Sequence, residues 1–212
     1  MSQTASAFVD VLVHVAEDVS AAQAELNQLD GIAGDGDLGL TMSAGARALI
    51  ALAPELATLD LASALRRCGA ELARKAPSTS GTLLATAFLR AASAVGDDPS
   101  PASLLGRALD ASLTGIQQRG KASVGDKTML DALAPACAAA QRSALDGADL
   151  CTALLAAADG AAAGAAATRS MRAKVGRAGW LADRSEGHED AGAQLVALVL
   201  AAAARHTCDT AS

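Results

Sequence analysis

Three aspartates set among glycines carry the first chemistry of this sequence. In Ile32-Ala33-Gly34-Asp35-Gly36-Asp37-Leu38-Gly39-Leu40-Thr41-Met42 the glycines fall at the GxGxxG spacing of a dinucleotide-binding turn, but two of the intervening residues are acidic, and Asp30 lies just upstream. A dinucleotide turn follows a buried strand and offers bare backbone N–H groups. Here the preceding residues read as a helix ending near Gln28. Residues 1–46 hold Asp10, Glu17, Asp18, Glu25, Asp30, Asp35 and Asp37, with no Lys or Arg before Arg47. Three carboxylates converging without a cation would raise one another's pKa values, and a divalent metal removes that penalty. All-oxygen ligands point to Mg²⁺ or Ca²⁺ rather than Zn²⁺. An EF-hand fails, because counting Asp35 as the first loop position puts Ala46 where the bidentate Glu belongs. Mg²⁺ on few carboxylates completes its shell with water and substrate phosphates, and a helix starting near Gly39 would aim free N–H groups at them. The plain alternative for the loop taken alone is a solvated acidic turn capping a helix.

Other stretches suit phosphate. Pro77-Ser78-Thr79-Ser80-Gly81-Thr82 sets four hydroxyls and a glycine before a helix, as a second cradle or an ordinary N-cap. Gly120-Lys121-Ala122-Ser123-Val124-Gly125-Asp126-Lys127-Thr128 approaches the P-loop pattern, but Asp126 intrudes where backbone should hug phosphate and no strand precedes it. The Gly-rich, charged segment 176–192 has the length and composition of a functional lid. His188 within it reads more readily as a structural histidine than as a catalyst.

The elements that must position these residues are helices. Phe8, Leu12, Val15 and Val19 form an apolar stripe at helical spacing, with Thr4 or Ser6 as candidate caps. Further helices are expected over about 40–52, 58–75, 81–95, 101–118, 127–143, 149–169 and 190–206, punctuated at Pro54, Pro77, Gly96-Asp97-Asp98-Pro99, Gly120 and Gly147. No segment alternates long enough for a strand. The expectation is one all-α domain over 1–212, an eight-helix up-and-down antiparallel barrel or bundle.

Composition narrows the function. Hydrophobic residues make up 51% but aromatics only 1% (Phe8, Phe88 and Trp180), which leaves no stacking platform for nucleic acid. A net charge of −6 argues the same way. The N-terminus lacks the pattern of a signal peptide, the apolar run Leu195 to Ala204 is short for a membrane span, and Asp159 interrupts the alanine tract before it. Cys68, Cys137, Cys151 and Cys208 form no CxxC pair and are expected as buried or idle thiols, so a cytoplasmic location is expected.

Taken together the motifs resemble the nucleotide-binding L subunit of dihydroxyacetone kinases, the domain also found at the C-terminus of ATP-dependent dihydroxyacetone kinases. The matching residues are Leu29-Asp30, Gly34-Asp35-Gly36-Asp37, Gly39 and Met42; Ser80-Gly81 and Thr86; Arg119-Gly120-Lys121 with Gly125-Asp126-Lys127-Thr128-Met129; and Gly176-Arg177-Ala178 with Arg184-Ser185, Gly187-His188 and Asp190. The resemblance implies an eight-helix antiparallel barrel with nucleotide capping one end. It implies that Asp30, Asp35 and Asp37 hold two Mg²⁺ ions bridging the phosphates of ADP or ATP. Leu38, Gly39, Leu40, Thr41, Thr79, Ser80, Gly120, Met129, Arg177, Asp190, Ala191 and Gly192 match positions that contact nucleotide, with Arg177 adding catalytic positive charge.

In that family the ketose sits on a separate K subunit. ADP either stays bound as a coenzyme, rephosphorylated by a phosphohistidine on a phosphotransferase-system M subunit, or ATP serves as an exchanging substrate. A free-standing chain favours the coenzyme mechanism; a homodimer is left open. Leu38 and Thr41 replace the family's usual His and Asn, and Pro77-Ser78-Thr79 with Thr82 departs from its glycine-rich loop and proline. The first departure is expected to alter affinity or base contacts while the metal site survives; the second suits a subgroup acting on another small ketose such as erythrulose. A helical adaptor that binds nucleotide without turnover is the alternative of a different class.

Overall fold

A computed structural model describes residues 3–96 and 100–210. Among them are eleven α-helices and no strand: α1 (Gln3–Ala21), α2 (Gln23–Ala33), α3 (Leu38–Leu56), α4 (Leu61–Lys75), α5 (Thr79–Ala94), α6 (Pro101–Gly120), α7 (Leu130–Leu145), α8 (Leu150–Ala167), the short α9 (Gly176–Trp180) and α10 (Ala182–Ser185), and α11 (Ala191–Thr210). Only Ala22 separates α1 from α2, and its N–H and C=O continue the i→i−4 pattern to Asp18 and from Leu26. The two therefore act as one rod, and the long helices reduce to eight. Each rod packs on the next in sequence and α11 packs back on α1, closing a ring. The connections α2–α3, α4–α5, α6–α7 and α8–α11 gather at one end; those joining α3–α4 and α7–α8 lie at the other.

Boundaries follow local chemistry. The side chains of Asp60, Ser78, Ser100 and Asp149 cap α4, α5, α6 and α8 by accepting an N–H in the first turn. Helix α1 begins at Gln3, so Thr4 and Ser6 lie inside it. Pro54 falls within the last turn of α3 rather than after the helix, and α7 begins at Leu130, three residues beyond the expected start. The turn expected at Gly96-Asp97-Asp98-Pro99 lies, in its last three residues, outside the described residues.

The apolar stripe of α1 turns inward: Leu12, Val15 and Val19 are buried and Phe8 packs alongside. Alanine dominates elsewhere, and a buried methyl removes little area from water compared with roughly 2 kcal/mol for a buried Leu. Close approach compensates through dispersion contacts. On α8, Ala153, Ala157, Ala161 and Ala165 are fully buried, and a Cβ at Gly164 would overlap the Asp131 carbonyl of α7. Leu150–Ser170 and Ala191–Asp209 are long and apolar enough by composition to cross a bilayer, contrary to the sequence reading. Both are barrel staves whose inward faces join one cluster around Leu130, Leu133 and Leu200.

The cysteines also depart from expectation. Cys151 and Cys208 form a disulfide between the start of α8 and the end of α11, while Cys68 and Cys137 are buried free thiols. Burial pushes those thiols up to about 12 and about 11, so both stay protonated. Sequence could not pair residues 57 apart; adjacency of two staves does.

Candidate functional site

The four connections at one end enclose a cleft of about 340 Å³. Its acidic wall comes from the turn between α2 and α3. Helix α2 runs to Ala33, so Asp30 sits on its last turn rather than in the loop. Asp30 Oδ2 accepts the N–H groups of Gly36 (2.9 Å), Asp37 (3.1 Å) and Leu38 (3.3 Å), which folds the turn back and satisfies donors at the start of α3. Gly36 makes this reversal at φ +76, a left-handed conformation costly for other residues. Beside it, a Cβ at Gly39 would overlap the Gln23 carbonyl of α2, and Asn27 Oδ1 accepts the Leu40 N–H at 3.0 Å. Glycine thus lets α3 start against the α2 backbone. Carboxylate oxygens of Asp30, Asp35 and Asp37 come within 4.8 Å of one another.

The second wall is the start of α5. Ser78 is spent as the cap, its Oγ accepting the Gly81 N–H at 3.0 Å, while Thr79 and Ser80 line the cleft. In the third connection Gly125 and Lys127 adopt positive φ, and Asp131 holds the turn by accepting the N–H groups of Gly125 (2.5 Å) and Thr128 (2.7 Å). Asp126 Oδ2 takes the Ser123 N–H. These donors are consumed internally and the loop follows a helix, so it is no P-loop. Gly120, Thr128 and Met129 border the cleft.

The fourth wall is segment 171–190, carrying α9 and α10. Arg177 on α9 forms an ion pair with Asp35 across the cleft mouth. The basic partner missing in sequence from the acidic stretch is therefore supplied by tertiary structure. Asp190 caps α11 by accepting the Ala193 N–H at 2.8 Å, and its own N–H donates to Thr168 Oγ1 at 2.9 Å. Burial pushes the Asp190 carboxyl up to about 6, opposed by its hydrogen bonds and the nearby Lys127 ammonium. Burial also lowers the Lys127 pKa.

Of the residues expected to contact nucleotide, Leu38, Thr79, Ser80, Gly120, Met129, Arg177, Asp190, Ala191 and Gly192 line the cleft with the three aspartates. Gly39, Leu40 and Thr41 do not: Gly39 packs on α2, Leu40 is 54% exposed, and the Thr41 N–H is held within α3 by the Asp37 carbonyl. Sequence reasoning gave no role to Asn27, Asp131 or Thr168, ordinary polar residues in helical contexts; only their partners mark them. The N-termini of α3, α5, α7 and α11 all meet this cleft. Helix N-termini favour anions and an oxygen-only carboxylate set suits a hard divalent cation, so the arrangement fits a metal-bound polyphosphate.

Fold and site together define a helical barrel with an acidic cleft, edged by helix N-termini, at one end. The DAK2 domain family model matches residues 32–205, and the chain belongs to that family. It is 35% identical over 174 residues to the ADP-binding subunit DhaL of PEP-dependent dihydroxyacetone kinase 1 from Listeria innocua, covering 82% of each chain. It is 33% identical over 201 residues to the corresponding Escherichia coli subunit, covering 94% of this chain and 96% of that one. A D-erythrulose kinase of Mycolicibacterium smegmatis is 37% identical over 191 residues, which cover 87% of this chain but 32% of that enzyme. The crystal structure of the C. freundii dihydroxyacetone kinase in complex with AMP-PNP and Mg²⁺ superposes with a TM-score of 0.75 at 27% identity, covering 97% of this chain and 34% of the kinase.

Proposed function

We propose that this chain, acting as one domain, is the nucleotide-binding, phosphoryl-transferring L subunit of a dihydroxyacetone (glycerone) kinase. In this reading ADP stays bound as a coenzyme. It is rephosphorylated by a phosphohistidine on a phosphotransferase-system M subunit, and its phosphate passes to dihydroxyacetone held on a K subunit in the cytoplasm. The observation that carries the reading is the convergence of Asp30, Asp35 and Asp37 within 4.8 Å beside four helix N-termini.

Phosphoryl transfer asks a protein for positioning and charge neutralisation rather than covalent chemistry. Asp30, Asp35 and Asp37 would hold two Mg²⁺ ions, which supply that neutralisation when bound. Asp30 is oriented for this by the three N–H groups on its Oδ2. Arg177 stands beside Asp35, where its guanidinium can turn to phosphate oxygens. Thr79 and Ser80 add hydroxyl donors at the α5 N-terminus, and segment 171–190 shields one side from water.

The test is to denature the purified chain and identify any released nucleotide by chromatography. Stoichiometric ADP supports the coenzyme reading. A second reading, an ATP-dependent kinase subunit for dihydroxyacetone or erythrulose, is favoured by the similarity to the erythrulose kinase and by the departures at Pro77-Ser78-Thr79 and Thr82. Reversible Mg-ATP binding to a chain that releases no ADP would support it. Failure to bind any nucleotide would overturn both, and nucleotide binding without sugar phosphate in the presence of a K subunit and donor would identify an adaptor.

A further inference from the structure

Lys127 is almost wholly buried, at 4% exposure, and takes a left-handed backbone conformation at φ +61. An ammonium carries three donors, and three carbonyl oxygens receive them: Met171 at 3.0 Å, His188 at 2.8 Å, and Ser185. All three acceptors are backbone atoms of one segment, one from its start and two from its end. A single nitrogen thus gathers both ends of the lid onto the floor of the cleft. Between them the chain carries α9 and α10, and with α9 the guanidinium that meets Asp35.

The other tethers are weaker. Arg177 and Asp35 have side-chain exposures of 68% and 43%, and ion pairs this exposed hold little against solvent and side-chain entropy. Lys174 reaches the Gly125 carbonyl at 2.8 Å from a 62% exposed side chain. A buried charge fully satisfied by hydrogen bonds is costly to disrupt, because removing its partners leaves desolvated polar groups behind. Backbone bonds from Lys174 N–H to the Asp126 carbonyl (3.2 Å) and from Gly187 N–H to the Arg169 carbonyl (3.1 Å) add to the anchoring, but Lys127 alone ties both ends of the segment to one atom.

We propose that Lys127 is a positioning residue of the phosphate cleft: its ammonium fixes the lid segment 172–187 so that Arg177 stands over the three aspartates. The proposal rests on the metal–nucleotide reading for its effect on affinity, but its effect on the lid does not. Two measurements separate them, both on the full chain. In limited trypsin digestion, K127M should be cut after Lys174, Arg177 and Arg184 at least tenfold faster than the parent, with unchanged far-ultraviolet helix content. In titration calorimetry with Mg-ADP, K127M should weaken binding about tenfold in the parent background but less than twofold in an R177A background, since the lysine acts through that arginine.

K127Q, which keeps two donors, should fall between parent and K127M in both measurements. Unchanged lid cleavage in K127M would overturn the proposal, and so would an equal affinity loss with and without Arg177. If neither variant keeps native helix content, the lysine serves the whole fold and the proposal fails. If the lid loosens but the parent binds no Mg-ADP, the lid assignment stands and the nucleotide reading falls.

Discussion

The guanidinium of Arg177 pairs with the carboxylate of Asp35, joining the lid between α8 and α11 to the acidic turn between α2 and α3. Asp35 is thereby shared between a cation of the protein and the expected metal, and the two uses compete. Removing the arginine should leave binding of Mg²⁺ alone unchanged or slightly tighter. It should weaken Mg-ADP by about 10- to 100-fold, the loss of a charge-assisted contact worth roughly 1.5–3 kcal/mol. Parallel calorimetric titrations of Arg177→Ala with Mg²⁺ and with Mg-ADP check both signs, and a variant that weakens neither would remove Arg177 from the phosphate site.

Asp30 and Asp35 should separate when each is replaced by alanine. Asp35→Ala should abolish Mg-nucleotide binding with helix content and melting temperature nearly unchanged, because Asp35 is exposed and its pair is a surface one. Asp30→Ala should also lower stability by about 1–3 kcal/mol, since three N–H groups lose their acceptor. Circular dichroism melts beside nucleotide titrations distinguish the two. Native Mg-ADP affinity in Asp35→Ala would sink the metal assignment.

Asp190 predicts a pH dependence. Its carboxyl lies at about 6 in the folded protein against 3.8 when exposed. The folded state therefore keeps a proton that the unfolded chain releases, and the associated stability is full below about pH 4 and lost as the pH rises through 6. Asn can still cap a helix, so Asp190→Asn should melt close to the parent near pH 4. It should be the more stable at pH 7.5, by up to roughly 3 kcal/mol for the two-unit shift. A difference that stays constant from pH 4 to 8 would contradict this.

Reduction of the Cys151–Cys208 disulfide acts at the far end of the barrel from the cleft. Opening a link that spans 57 residues should lower stability by about 2–4 kcal/mol. Mg-ADP affinity measured with and without reductant should not change. A parallel loss of affinity would mean that the two ends of the barrel are coupled.

Much of this site was legible because its chemistry sits in local runs. The carboxylates of Asp35 and Asp37, the hydroxyls of 78–80 and the lid composition each declare themselves within a few residues. What stayed hidden was long-range. Helical periodicity says which face of a rod is buried but not which rod it meets, so the closure of α11 on α1 follows from the family resemblance alone, and the pairing of Cys151 with Cys208 could not be read. A helix ending near Gln28 puts Asp30 in a loop, whereas α2 runs through Gly31 to Ala33. The family pattern extended nucleotide contact across residues 38–41, whereas the helix that begins at Leu38 turns Gly39 onto α2 and leaves Leu40 outside the cleft. Lys127 stands out in the sequence as part of a rejected P-loop and of the family motif, but its role does not, since its three acceptors are backbone atoms that no side-chain pattern records.

Helix α1 begins, and α11 finishes, at the end remote from the cleft, and the two helices pack side by side. Any cargo grafted there, at the front or the back, would hang clear of the working mouth. A barrel wired this way can be carried as a module within a longer polypeptide or supplied loose without rebuilding its chemistry.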